Sequence, residues 1–81
     1  MQDKVDYVNN SSYRRRVLKT IGEDVKVPTK IASDSDILPN HISNVLSDLK
    51  KNNLVECINP RQRKGRLYRL SGEGLDVLKK L

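Results

Sequence analysis

The stretch PNHISNVLSDLKKNNLV, residues 39–55, combines a regular apolar stripe with an unusual polar face. The apolar residues follow the i, i+3, i+4, i+7 spacing of one buried helical face, and they are Ile42, Val45, Leu46 and Leu49. Small or medium polar residues lie between them: Asn40, His41, Ser43, Asn44 and Ser47. These residues are poor helix formers, and a surface helix usually carries Lys and Glu there. Because their side chains suit the reading of DNA base edges, the mismatch predicts a functional face.

The composition of the chain predicts one small domain with an anionic partner. The 81 residues allow only a modest core, which Leu, Ile and Val must fill because Phe and Trp are absent. Sixteen Lys and Arg against ten Asp and Glu give a net charge of +6. Such a charge favours nucleic acid. A membrane surface is less favoured, since no basic amphipathic helix with large apolar residues occurs.

Several classes of protein are excluded or disfavoured. No apolar run approaches the ~18 residues of a membrane span, and none resembles a signal peptide. We therefore expect a cytoplasmic protein, or a nuclear one in a eukaryote. Cys57 is the single cysteine. It allows neither an intramolecular disulfide nor a cysteine-based zinc cluster, and we interpret it as a small strand residue rather than a redox sensor. We expect no cofactor and no small-molecule ligand.

Around this stretch, the pattern predicts a mainly helical α+β domain over residues 11–81, with residues 1–10 as an N-terminal extension. Val5 and Val8 of the extension could pack on the domain or on a partner. Ser11 or Ser12 can cap the first helix, and Gly22 suits a left-handed ending. The elements expected in chain order are a helix over 11–21, a strand over 25–27, a helix over 29–35, a helix over 39–51, strands over 54–58 and 66–70, and a helix after Ser71 with Leu75, Leu78 and Leu81 as its apolar stripe.

A short helix and a tight turn that lead into a second helix form a helix-turn-helix unit, and a basic hairpin after it forms a wing. The chain from about residue 11 to 81 resembles the winged helix-turn-helix transcription regulators of bacteria and archaea, of the MarR/ArsR-like kind. PTKIASDSDILPNHISNVLSDLKKNNLV is similar to their helix-turn-helix, NPRQRKGRLYRL to their wing, and LSGEGLDVLKKL to the Leu-Thr-x-x-Gly element that opens the next helix. The resemblance implies a three-helix core with a hairpin wing and a short C-terminal helix. The metal-binding cysteines and histidines of the ArsR sensors are missing.

The resemblance implies that residues 39–51 form a recognition helix in the major groove. Asn40 and Asn44 can then contact adenine, and His41 can donate to a phosphate or to guanine N7. Ser43 and Ser47 can reach phosphates or bases. The alternative for all of these residues is a solvated helix face that binds nothing.

The wing, residues 59–66, carries cations with no acid between Glu56 and Glu73: Arg61, Arg63, Lys64 and Arg66. They favour contact with the DNA backbone or the minor groove, although a charged hairpin edge can also serve to prevent aggregation. Thr29 and Lys30 begin the second helix, where N–H groups and a hydroxyl can hold a phosphate. Thr29 could also simply cap that helix.

One small module buries little DNA surface, so we expect a homodimer on a two-fold site of double-stranded DNA. Its interface would use the first helix with the N-terminal segment, or the last helix. The competing hypothesis is a winged-helix protein–protein interaction module in a transcription or nucleic-acid-processing assembly. An enzyme is not expected, because the sequence contains no paired carboxylates, metal cluster, nucleophile–base pair or phosphate loop.

Overall fold

The helix-turn-helix and the hairpin follow one another as the sequence predicts. The structure is a computed structural model that describes residues 2–81. Its elements are α1 (Gln2–Asn9), α2 (Ser12–Ile21), α3 (Pro28–Ser35), α4 (Pro39–Lys51), β1 (Val55–Cys57), β2 (Tyr68–Leu70) and α5 (Gly72–Lys79). The mainly helical winged-helix architecture is therefore confirmed. Within residues 2–81, every helix is too short or too polar to cross a lipid bilayer.

Capping side chains and apolar spacing explain α2. Ser11 is its N-cap, and the Ser11 hydroxyl accepts a hydrogen bond from the Arg14 N–H at 3.3 Å. Val17, Leu18 and Ile21 follow helical spacing and are fully buried. Gly22 ends the helix with φ 55° but ψ −124°, so its φ is positive without the left-handed helical conformation expected of it.

The helix-turn-helix differs from the prediction at its start. The second helix begins at Pro28 rather than Thr29, with Val27 as its N-cap, because proline is tolerated where an N–H would have no partner. Thr29 therefore lies inside the first turn and does not cap the helix. α3 ends at Asp36, whose left-handed φ of 58° turns the chain so that Ile37 returns to the core.

α4 occupies the predicted span. Ile42, Leu46 and Leu49 are buried, whereas Val45 is only half-buried. Asn53, with φ 59°, supplies the left-handed ending of the helix. The polar face of α4 is consequently held outward by a well-buried apolar face.

The hairpin has shorter strands than predicted. β1 and β2 pair in antiparallel register, with Glu56 opposite Arg69 and Cys57 opposite Tyr68. The strand expected over 25–27 is reduced to one bridge between Lys26 and Tyr68. Leu70 is buried, Arg69 is exposed and Tyr68 is half-buried.

The N-terminal segment forms α1, which packs on the same core as the rest of the chain. Val5 and Val8 are 4% and 0% exposed. The Arg14 guanidinium lies 3.8 Å from the centre of the Tyr7 ring and donates to the Tyr7 carbonyl at 2.7 Å. These contacts fasten α1 to α2 and show that Arg14 serves the fold.

The apolar stripe predicted for the last helix packs on the core but is not the most buried part of the helix. Val77 is fully buried, whereas Leu75, Leu78 and Leu81 are only half-buried. The helix is rotated because Gly74 lies directly against the main chain of Leu54, where a Cβ atom would overlap the Leu54 carbonyl oxygen. The face that carries Gly74 and Val77 therefore lies against the core, and the three leucines pack at its edge.

Candidate nucleic-acid interface

The outer face of α4 divides into two flanks and a ridge. Successive helical residues are ~100° apart, so the buried stripe leaves Ser43 and Ser47 on one flank and His41 on the other. Asn40 and Asn44 point away from the core between the flanks, and both are exposed. The ridge therefore presents two carboxamides, each with donors and an acceptor, to solvent.

The serine flank faces the wing. Ser43, Ser47 and Lys50 line a groove whose other wall is formed by Arg66 and Tyr68. Two hydroxyls and two cationic side chains thus border one cleft between the recognition helix and the wing. Such a cleft is suited to an anionic oxygen.

The histidine flank faces α2 instead. The rings of His41 and Tyr13 have their centres 5.9 Å apart at an interplanar angle of 44°. His41 remains exposed. Its ring is thus separated from the serine flank, although sequence reasoning had grouped these residues together.

One asparagine organises the wing. The Asn59 Oδ1 accepts a hydrogen bond from the Leu67 N–H at 2.7 Å, and the Asn59 Nδ2 donates to the Gly65 carbonyl at 3.1 Å. The Asn59 carbonyl also accepts from the Gln62 N–H at 3.0 Å. The side chain therefore replaces strand pairing across the wing. The role of Asn59 is not predicted above, but the Asn-Pro pair at 59–60 is a turn signal that indicates it.

The wing cations are exposed and carry no carboxylate partner. Within residues 2–81, none of the ion pairs includes Arg61, Arg63, Lys64 or Arg66. Arg66 is partly occupied, because its Nε donates to the Gln62 carbonyl at 2.7 Å. The other three cations leave their charge entirely to solvent or to a ligand.

The start of α3 adjoins the wing, but the two residues predicted there differ in environment. Thr29 lines a groove with Arg63, Lys64 and Arg66, so it joins the wing cluster. Lys30 pairs with Asp34 at 3.2 Å, and Lys26 pairs with the same carboxylate at 3.1 Å. Hydrogen bonds from Lys26, which has the larger effect, and from Lys30 hold the pKa of Asp34 below its usual value. The charge of Lys30 is therefore partly balanced within the chain.

Two grooves that share Arg66 bring part of the predicted site together. Ser43 and Ser47 line one groove with Arg66, and Thr29 lines the other with Arg63, Lys64 and Arg66. These groups can hydrogen-bond to bases and attract phosphates. Within residues 2–81, no three His, Cys, Asp or Glu side chains cluster as metal ligands would.

Comparisons with solved structures identify the fold of the chain. No protein-family model matches the chain, and no curated protein sequence matches it. Three solved structures superpose well on it. A mutant of ZitR from Lactococcus lactis has a TM-score of 0.73 at 22% identity, over 86% of this chain and 49% of the other. NadR in complex with 4-hydroxyphenylacetate has a TM-score of 0.77 at 20% identity, over 98% and 57%.

The third structure is the MarR family transcriptional regulator SPO1453 from Silicibacter pomeroyi, with a TM-score of 0.75 at 16% identity, over 98% of this chain and 59% of the other. The chain thus spans about half the length of the structures it matches. At these identities the likeness establishes a common architecture and leaves activity open. The chain has the winged-helix fold of MarR-type transcriptional regulators.

Proposed function

We propose that this chain is a double-stranded DNA-binding transcription regulator that acts in the cytoplasm. The observation that carries the proposal is the groove in which Ser43 and Ser47 of α4 lie opposite Arg66 of the wing. A helix face that contacts only solvent does not require hydroxyls and a cationic side chain in one groove. The regulators that share the fold support the same function.

In the proposed complex, α4 lies in the major groove. Asn40 and Asn44 form bidentate hydrogen bonds with adenine N6 and N7, and Ser43 and Ser47 contact bases or the adjoining phosphates. His41, on the flank toward Tyr13, is placed to donate to a phosphate at the edge of the groove.

The wing follows the backbone or the minor groove. Arg61, Arg63 and Lys64 supply most of the electrostatic affinity, and Arg66 contacts the strand that passes between the wing and α4. Thr29 adds a hydroxyl on the same path, and Lys30 a weaker cationic contact because of Asp34.

Two substitutions separate base reading from charge. Asn44→Ala should reduce the preference of the protein for one sequence over another by an amount equivalent to about 1–3 kcal/mol, since a bidentate contact is lost. Arg63→Ala should weaken all duplexes alike and flatten the slope of log K against log salt by about one unit. Both are measured by fluorescence anisotropy on selected and scrambled duplexes across a salt series.

The matched control for the carboxamide is Asn9→Ala, which removes an exposed asparagine from α1. It should change neither the preference nor the slope. Equal loss of preference in Asn9→Ala and Asn44→Ala would contradict the assignment of α4 to the groove. Failure of the wild type to bind any duplex at low salt would favour the protein–protein interaction module.

We further propose that the regulator binds as a homodimer, because one such module buries only ~600–1,000 Å² on DNA. The interface would use α1 with α2, or α5. Sedimentation equilibrium should show a dimer at high micromolar concentration and two protomers on a two-fold site. A protein that remains a monomer at that concentration and on DNA would contradict this part of the proposal.

A further inference from the structure

The most exposed large apolar side chain of the described residues lies at the entrance of the recognition helix. Leu38 is 63% exposed, compared with 45% for Val25 and 41% for Ile58. Leu38 is the N-cap of α4, and its carbonyl accepts hydrogen bonds from the N–H groups of His41 and Ile42 at 2.9 and 3.0 Å. Its backbone carbonyl therefore stabilises the start of the helix, while its side chain lies outside the buried core.

A leucine is a poor choice for this position on grounds of stability. Ser, Thr, Asp and Asn are favoured as N-caps because their side chains accept a backbone N–H. Ser11 and Ser71 cap α2 and α5 with their hydroxyls, whereas α3 and α4 begin at Val27 and Leu38 without a side-chain cap. Of the two uncapped starts, Val27 is half-buried, whereas Leu38 leaves most of its apolar surface exposed. Such a departure from local preference marks a functional position.

The surroundings of Leu38 indicate what it touches. It borders a groove with Thr29, Ser33 and Pro39, and it lies two residues before the exposed Asn40. The N-terminal residues of a recognition helix enter the major groove. The apolar group in that groove is the C5-methyl of thymine, which shares a base pair with the adenine that an asparagine reads.

We propose that Leu38 reads a thymine methyl group next to the adenine contacted by Asn40. This inference rests on the proposed binding of double-stranded DNA. Pro39, which is exposed between the two residues, fixes the backbone so that an apolar and a carboxamide group enter the groove together. The pair would make the protein selective for A·T base pairs at one point of its site.

The test removes the methyl group without touching any hydrogen bond. A random duplex pool is enriched on the wild-type protein, and each thymine of the resulting site is replaced in turn by deoxyuridine. At one position or two symmetry-related positions, the replacement should weaken wild-type binding about fourfold, the equivalent of one buried methyl group. This measurement requires no variant protein.

Two variants complete the design. Leu38→Ser restores a capping residue, so its Tm should equal or exceed that of the wild type, while its affinities for thymine and deoxyuridine become equal. Val25→Ala is the matched control, since it removes an exposed apolar side chain away from α4 and should retain the fourfold difference.

The outcomes distinguish this inference from the proposed function. A wild type that binds its selected duplex but ignores every methyl group overturns the role of Leu38 and leaves DNA binding intact. The same holds if Leu38→Ser keeps the fourfold difference, or if its Tm falls and so assigns Leu38 to the fold. A wild type that enriches no duplex overturns both.

Discussion

Replacement of Gly74 by alanine should lower the Tm of the protein by roughly 15 °C, which corresponds to a loss of about 3 kcal/mol in the free energy of unfolding. A Cβ on Gly74 would overlap the Leu54 carbonyl oxygen and lie 3.3 Å from the Leu70 Cβ. The backbone cannot move aside, because the Leu54 carbonyl accepts from the Ser71 N–H at 3.0 Å. Ser71 is held in turn, since its hydroxyl donates to the Asn53 carbonyl at 2.6 Å and accepts from the Gly74 N–H at 2.9 Å.

Gly72→Ala is the matched control for this prediction. It makes the same chemical change two residues earlier in α5, where a Cβ has nothing within 4 Å. Since alanine restricts the unfolded chain more than glycine does, this variant should be about 0.5 kcal/mol more stable than the wild type. Thermal unfolding followed by circular dichroism measures both. Similar Tm values for the two variants would contradict the tight approach of α5 to Leu54.

Removal of three wing cations should almost abolish DNA binding. The triple variant Arg61→Ala, Arg63→Ala, Lys64→Ala loses side chains that are exposed and unpaired within the described residues. Since each lost phosphate contact flattens the salt slope by ~0.9, the slope should fall by about three units and the affinity at 0.1 M salt by roughly several hundredfold. Anisotropy titrations across a salt series measure both quantities.

A variant of equal charge controls for net attraction. Lys19→Ala, Lys79→Ala, Lys80→Ala also removes three positive charges from a chain of net charge +6, but from the ends of α2 and α5. It should retain most of the salt slope. Equal losses in the two variants would show that total charge, rather than the wing, drives association. Sedimentation of both variants checks whether either change alters the oligomeric state.

Local signals were sufficient to predict much of the fold. The helix at 39–51 has a stripe of strict helical spacing, a proline at its start and an asparagine at its end, so its span is confirmed. Ser11 and Ser71 are capping residues in sequence and in structure. Composition and spacing also predict that the wing cations have no carboxylate partner, because no acid lies between Glu56 and Glu73 in the chain.

Contacts between distant residues were beyond sequence reasoning. The rotation of α5 depends on the approach of Gly74 to Leu54, 20 residues earlier in the chain. The docking of α1 depends on Arg14 over Tyr7 and on Lys4, whose ammonium lies 2.7 Å from Glu73. The pKa of the Glu73 carboxyl group lies below its usual value, chiefly because of the hydrogen bond from Lys4 and to a smaller extent because of the one from the Asn53 amide.

The candidate site shows the same division between local and distant information. The periodicity of α4 separates its polar residues into flanks, but only the packing of the wing and α2 determines what each flank faces. Ser43 and Ser47 meet Arg66, whereas His41 meets Tyr13. The conformation of the wing likewise depends on hydrogen bonds that the Asn59 side chain makes with Gly65 and Leu67.

The most direct test of the account is a titration of isotope-labelled protein with its selected duplex, followed by backbone amide shifts in NMR spectra. Residues 38–47 at the start of α4, residues 59–66 of the wing, and Thr29 should shift most, while the outer residues of α1 should shift only where a second copy binds. Shifts confined to α1 and α5, or none at low salt, would contradict the assignment of α4 and the wing as the DNA interface.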